Sequence, residues 1–263
     1  MFSIEFLHTI REHEINTISK HFAAGARILE IGGGTGYQAK LLADQGFAVT
    51  SIDVADSLYK DTRVFPVMEY DGKVFPFPDA TFDVVFSSSV LEHIGDRAQL
   101  HGECRRVLKP DGYCVHIMPT AVWRFWGLVT HYYVEWLQRW AGMLSGLVPR
   151  RLSRRELGRA VETLRQMRRI AHDYGVVPPH GATGNALTEL WTFSRRHWVN
   201  HFRRHNFEVV LAEGMGLFYT GRMIFGKHWP LRSRARAASV LGSACILYKV
   251  KPGLPRQNER RSA

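Results

Sequence analysis

The stretch Arg27-Ile28-Leu29-Glu30-Ile31-Gly32-Gly33-Gly34-Thr35-Gly36 decides how this chain is organised. An apolar run interrupted only by Glu30 reads as a buried strand. The glycine cluster ends it, and Tyr37–Gln45 reads as a helix. Glycine lets the backbone turn tightly and approach a ligand with no Cβ in between. The helix that follows offers unpaired N–H groups and the positive end of its dipole. Seventeen residues beyond Gly36, Asp53 closes a second strand, Phe47–Asp53. A carboxylate there accepts hydrogen bonds from both ribose hydroxyls of a nucleoside cofactor. The loop alone leaves the cofactor open, because Gly34-Thr35-Gly36-Tyr37-Gln38-Ala39 also satisfies the GxGxxA form of a dinucleotide fingerprint. A glycine turn of purely structural use is the remaining alternative.

Outward from this loop, strand and helix signals alternate. Val64–Val67 is a short third strand, and Phe82–Ser87 is a fourth after the turn-rich Pro76–Thr81. Leu91–Leu108 is helical and is closed by Lys109-Pro110-Asp111-Gly112. Gly112–Met118, Phe207–Glu213 and Ser243–Val250 are strands five to seven. This order predicts an α/β, Rossmann-like fold: a mostly parallel seven-stranded sheet with helices on both faces and a large helical insertion between strands 5 and 6. Residues 1–120 form the cofactor-binding core, and 121–206 a helical, basic, aromatic-rich insertion read as a substrate lid. Residues 207–250 complete the sheet, and 251–263 are a flexible tail. The 88 residues between Met118 and Phe207 far exceed a simple crossover. They leave from the sheet edge at which open α/β sheets bind their ligands.

The 263 residues are 45% apolar and 22% charged, which excludes a disordered or low-complexity protein. The three cysteines, Cys104, Cys114 and Cys245, form no CxxC pair, so we expect reduced thiols and no bound metal. The N-terminus lacks a signal-peptide pattern, since Glu5, Glu12 and Glu14 interrupt it. No apolar run is long enough for a transmembrane helix. A cytoplasmic location follows as the expectation, with peripheral attachment at the inner face of a membrane as its extension. The net charge of +11 is uneven: residues 1–120 hold 11 Lys/Arg against 16 Asp/Glu, and residues 121–263 hold 24 against 8. The basic half is expected to meet something anionic.

Five blocks in order over roughly 90 residues resemble the class I S-adenosylmethionine-dependent methyltransferases, in particular the type 11 branch. They are Ile28–Gly36; Asp53; Asp71-Gly72 with Phe75–Asp79 and Phe82–Val85; Val90-Leu91-Glu92-His93-Ile94; and Arg106–Gly112. Phe75 stands where the family usually has Leu, and Asp111 where its turn more often has Gly. The resemblance implies S-adenosyl-L-methionine as cofactor. Glu30 and the backbone of Gly32, Gly34 and Gly36 would hold its methionine end, and Asp53 its ribose. Asp71 and the Gly72 N–H would read its adenine, and Ser87 and Ser88 would face the methionine and the reaction site.

Methyl transfer to a hydroxyl needs alignment and a base within reach. The ranking of candidate bases is His180, then Glu189, His93 and His131. His180 and Glu189 belong to one polar segment, Pro178–Glu189, and loops over a rigid scaffold often carry function. Residues 123–149 have amphipathic spacing rich in aromatics. Eight arginines follow, Arg150, Arg151, Arg154, Arg155, Arg159, Arg165, Arg168 and Arg169, against Glu156 and Glu162. Residues 123–169 thus read either as a lid helix packed on the sheet or as a membrane-surface element. Arginine also grips phosphate. A weaker likeness of the C-terminal half to surface-glycan methyltransferases suggests O-methylation of a sugar hydroxyl on a glycan or lipid-linked glycan precursor. The alternatives are C-methylation of a lipid-like acceptor such as a quinone, RNA methylation, and a catalytically inactive cofactor-binding scaffold. No RNA-binding module is recognisable, which counts against a nucleic-acid partner.

Overall fold

In the computed structural model, which describes residues 4–133, 162, 165, 177–221 and 228–253, Arg27–Ile31 forms strand β1. It pairs in parallel with β2 (Ala48–Val54) on one side and β4 (Phe82–Ser88) on the other. β3 (Val67–Tyr70) extends the sheet beyond β2, and β5 (Leu108–Pro119) beyond β4. β7 (Cys245–Pro252) lies antiparallel between β5 and β6 (Phe207–Gly214), so the order is β3-β2-β1-β4-β5-β7-β6. The expected seven-stranded, mostly parallel sheet is what the chain forms.

Side chains alternate across the pleat and divide the core in two. Leu29, Val85 and Tyr248 face α3 (Arg97–Val107) and α6 (Arg195–Arg204), meeting Leu100, Cys104, Trp198 and Phe202. Ile28, Val84, Phe86, Val115 and Leu247 face α1 (Ile4–Ile18) and α2 (Tyr37–Asp44), meeting Ile15, Ile18 and Leu42. Burying each large side chain contributes about 1.5–3 kcal/mol. The remaining helices are α4 (Ala121–Thr130), α5 (Thr188–Thr192) and α7 (Leu231–Leu241).

Several boundaries differ from the sequence reading. The third strand begins at Val67, not Val64, because the Val64 N–H is taken by the Thr35 carbonyl (2.8 Å) and Pro66 has no N–H to give a ladder. The helix expected over Leu91–Leu108 is broken. Leu91–His93 is a single 3-10 turn, and α3 starts after Gly95, with the Asp96 side chain accepting from the Gln99 N–H (3.0 Å). β5 starts at Leu108 because the Lys109–Gly112 turn bulges inside it: Leu108 pairs with Phe82, and pairing resumes at Tyr113 with Val84. Lys251 and Pro252, read as tail, pair with Glu208 and Phe207 of β6. Most of the aromatic and arginine-rich stretch lies outside the described residues (134–161, 163–164, 166–176), as does the tail from 254. Among the described residues no helix is long and apolar enough to cross a membrane.

Three histidines are built into the face that carries α3 and α6. His116 on β5 accepts or donates through Nδ1 to the Ser87 hydroxyl (2.8 Å) and stacks on Phe202. His101 meets His201 ring nitrogen to ring nitrogen at 2.9 Å. Burial pushes His116 down to about 3, and burial plus the neighbouring imidazoles pushes His101 to about 2 and His201 to about 3. The unfolded chain takes up protons at these rings near 6.5, whereas the fold does not. The contribution of these three rings to stability is therefore full above about pH 6.5 and falls progressively as the pH drops toward 3. Urea titrations at pH 7.5 and 5 should show a lower midpoint at pH 5, and His116→Gln should reduce that difference.

Candidate functional site

A cavity of about 1060 Å3 opens at the C-terminal edge of β1, β2, β4 and β5. The glycine loop forms its floor. Gly32 and Gly33 donate to the Ile52 carbonyl (2.8 and 3.1 Å), pinning the loop to β2, and Gly36 donates to Gly33 (2.7 Å) to start α2. At Gly33 a Cβ would stand 2.0 Å from Ser51 Oγ, so the loop cannot carry a side chain there and keep its path. At Gly36, φ is +75° and a Cβ would meet the Phe65 Cβ at 2.8 Å. Asp53 faces the cavity from the end of β2 and also braces the loop. Its carboxylate accepts from the Gly34 N–H (3.0 Å), the Ser57 hydroxyl (2.8 Å) and the Val54 N–H (2.9 Å).

The other expected cofactor residues divide. Ser88 lines the cavity, as do Gly32 and Gly34. Ser87, one residue earlier on the strand, points to the opposite face, fully buried against His116. Glu30 lies beneath the loop, 2% exposed, and accepts from Ser51 Oγ at 2.6 Å; burial pushes it up to about 7. It thus supports the loop from below and does not line the cavity. Asp71 is exposed and caps its own turn, accepting from the Lys73 and Val74 N–H groups (2.8 and 2.9 Å). These bonds, that from Val74 foremost, hold its carboxyl below the usual range. Tyr70, not Asp71 or Gly72, lines the cavity wall there.

The sequence reading missed α1. Its apolar stripe (Phe6, Ile10, Ile15, Ile18) carries Arg11 and Glu14 on the same buried side, and the helix roofs the glycine loop. Arg11 Nη1 reaches Glu14 Oε2 (2.6 Å) and Ser88 Oγ (2.5 Å), and Gln38 of α2 donates to the same Glu14 oxygen (3.2 Å). Burial works against the Arg11 charge, but Glu14 overrules it and holds the guanidinium charged. A charged pair three residues apart on an apolar stripe was the available signal.

The far end of the cavity holds three of the four candidate bases, His93, His131 and His180, with Trp123 beside them. The His93 and His180 rings meet edge to face at 4.8 Å, and Trp123 lies 4.7 Å from His180. Burial, and then His93 and Arg124, push His180 down to about 4; burial also lowers His93. Both rings are neutral at pH 7. Glu189 is a strut instead of a base. It is fully buried, forms an ion pair with Arg124 Nε (2.7 Å), and accepts from the His180 and Gly181 N–H groups (2.5 and 2.6 Å). Arg124 also donates to the Pro178 carbonyl (2.7 Å) and Ala182 N–H to the Glu92 carbonyl (2.8 Å), so the loop bearing His180 is fixed at four points. Ser89, at φ +56°, donates to Ile117 (2.8 Å) and turns the chain so that His93 reaches the cavity.

Replacing Asp53 by Ala removes a cavity carboxylate and the brace on Gly34. A loss of about 10- to 100-fold in affinity for a nucleoside cofactor is expected by calorimetry. Arg11→Gln should also weaken binding, because it leaves Glu14 buried without its cation.

Residues 29–116 match the family described as a methyltransferase domain. Over 116 residues the chain is 34% identical to a ubiquinone biosynthesis O-methyltransferase of Xylella fastidiosa, covering 40% of this chain and 47% of that protein. It is 37% identical over 106 residues to a probable S-adenosylmethionine-dependent methyltransferase of Mycolicibacterium smegmatis, covering 39% and 41%. The chain thus spans less than half the length of these curated relatives. Among solved structures, an Aquifex aeolicus SAM-dependent methyltransferase aligns over 92% of this chain and 90% of its own, with TM-score 0.50 at 13% identity. A methyltransferase solved in complex with the Haloferax volcanii Trm112 activator aligns over 94% of each chain, with TM-score 0.53 at 13% identity. At these identities the two structures speak for the fold.

Proposed function

We propose that the chain, whose residues 29–116 match a methyltransferase domain, is a class I S-adenosylmethionine-dependent methyltransferase and methylates a hydroxyl group held at the His93–His180 end of its cavity. One observation carries this reading: the glycine loop with Asp53 and the His93–His180 pair line a single cavity. S-adenosylmethionine, when bound, supplies a methyl group on a sulfonium whose departure as a neutral thioether needs no acid. The fit rests on the loop and the carboxylate. Gly32 and Gly33 present backbone where side chains would collide with Val90 and Ser51, and Asp53 offers its oxygens to ribose hydroxyls.

The chain's own groups then do three things. Arg11 and Ser88, opposite the loop, receive the charged end of the methionine moiety. Trp123 offers a flat face on which a ring-shaped acceptor stacks. His93 and His180, neutral and aimed into the cavity, draw the proton from the acceptor hydroxyl. Orientation of the two reactants supplies most of the acceleration.

A sugar hydroxyl on a glycan or its lipid-linked precursor is the acceptor we favour, because Trp123 stands beside the His180 imidazole and lines the same cavity as a stacking platform. A lipid-like ring such as a quinone precursor is the second reading. The walls supplied by Ile4, Leu7, Pro119, Pro178 and Pro179 favour it, and so does the likeness to a ubiquinone biosynthesis O-methyltransferase. Within the described part of this end of the cavity the cation, Arg124, is engaged by Glu189 and Pro178, so phosphate recognition would fall to other residues.

Incubation with methyl-labelled cofactor and separate extracts of glycan, lipid and RNA should put label in the glycan or lipid fraction. Label in RNA alone would refute the hydroxyl-acceptor assignment. On the acceptor so found, His180→Ala should lower kcat by about 100-fold or more while cofactor affinity by calorimetry stays unchanged.

A further inference from the structure

The side chain of Glu92 has no role in the site described so far. It is 1% exposed, and neither carboxylate oxygen has a hydrogen-bond partner among the described residues. A buried charged carboxylate left alone costs several kcal/mol, so it must be neutralised by a proton or by a cation. Oε1 lies 3.9 Å from Nε2 of His93 and 3.9 Å from Nε2 of His180. That is too long for a hydrogen bond. It is close to the edge of about 3.4 Å between ligands that surround a cation at about 2.1 Å. One ligand atom from each of the three residues lies within 4.8 Å of the other two.

We propose that Glu92, His93 and His180 form a binding site for a divalent first-row transition cation, held by one carboxylate oxygen and two imidazole nitrogens, with its remaining positions open to the cavity. The donor set favours zinc, manganese or iron(II) over magnesium or calcium, which take oxygen ligands. Two of the ligands are adjacent in the chain, in the 3-10 turn Leu91–His93. The third arrives from the loop that Glu189 and Arg124 hold in place, and the Ala182 N–H fastens that loop to the Glu92 carbonyl itself (2.8 Å). Such fixing of a ligand by surrounding hydrogen bonds is what a metal site requires. The cation neutralises a carboxylate whose oxygens have no hydrogen-bond partner among the described residues. His93 and His180 line the cavity, so the open positions face the place where the acceptor sits.

The cation's role toward the acceptor rests on the hydroxyl-transfer reading; its binding does not. A hydroxyl bound to the cation is acidified, as bound water is. Its O–H bond breaks, the proton passes to solvent water, and the electron pair stays on the oxygen facing the methyl donor. In the cation-bound form His93 and His180 are ligands, and the cation takes over from them the task of drawing the hydroxyl proton; proton uptake by the imidazoles belongs to the cation-free form.

Cobalt(II) titration of the full chain, freed of metal by chelation, is the test. Wild type should take up one cobalt per chain, with visible bands of a nitrogen- and oxygen-ligated ion. Glu92→Gln and His180→Ala should each bind about 100-fold more weakly or not at all. Should Glu92→Gln fail to fold, His180→Ala, a change at a part-exposed loop residue, carries the comparison. S-adenosylmethionine affinity, measured in parallel, should be equal in wild type and variants, which shows that the cofactor end is intact. Absence of saturable cobalt binding by wild type, or equal binding by the variants, overturns the site. Undiminished methyl transfer by chelated protein whose cobalt binding is normal overturns the catalytic role alone. Absence of transfer to any hydroxyl acceptor by protein that still binds cobalt at these residues overturns the functional reading and leaves the site standing.

Discussion

The close approach of Gly33 to Ser51, over the buried carboxyl of Glu30, is the contact on which the rest of the site depends. Ser51 Oγ donates to Glu30 (2.6 Å), and the loop lies directly on this pair with no room for a Cβ. Two N–H groups of the loop are spent on the Ile52 carbonyl and a third on Asp53. These bonds join β1 to β2 at their C-terminal ends and fix where α2 begins. The direction of the Asp53 carboxylate and the height of the cavity floor follow from the same contacts. A shift of the loop by even a fraction of an ångström would misalign a reaction whose rate comes mainly from orientation.

Two charged groups of opposite sign show how burial assigns roles. Arg124 and Glu189 are both buried, and they form an ion pair while clamping a loop, so both charges are engaged in holding the chain. Glu92, equally buried, has no such partner and faces two imidazoles instead. In a low-dielectric interior an unpaired carboxylate either takes up a proton or attracts a cation. Burial pushes Glu92 up to about 7, against the opposing pull of its own backbone amide and of Arg11 and Arg97. Identical residue types thus become strut or ligand according to what stands within about 4 Å.

Much of the cofactor end was legible from residue order, because its determinants are local. A strand, a glycine turn, a helix and an acid at the end of the next strand follow one another within thirty residues. The third strand was misplaced by three residues because the claim of Thr35 on the Val64 N–H is a tertiary contact. The helix around Gly95 was drawn too long because apolar spacing continued through a break set by the Asp96 cap. Ser87 and Ser88 could not be separated without the register of β4, where one step reverses the face.

By itself the sequence determined the fold class, the family likeness and the position of the glycine loop and Asp53, since these depend on backbone conformation and on periodicities that neighbouring residues set. Only the tertiary structure decided which ionisable groups meet. Arg11 on the first helix reaches Ser88 on the fourth strand, and His180 reaches Glu92 across most of the inserted sequence. Such meetings depend on how α1, α4 and the 177–187 loop pack over the sheet edge. Burial, not residue type, then fixes which of those groups stay neutral, which stay charged and which are left without a partner.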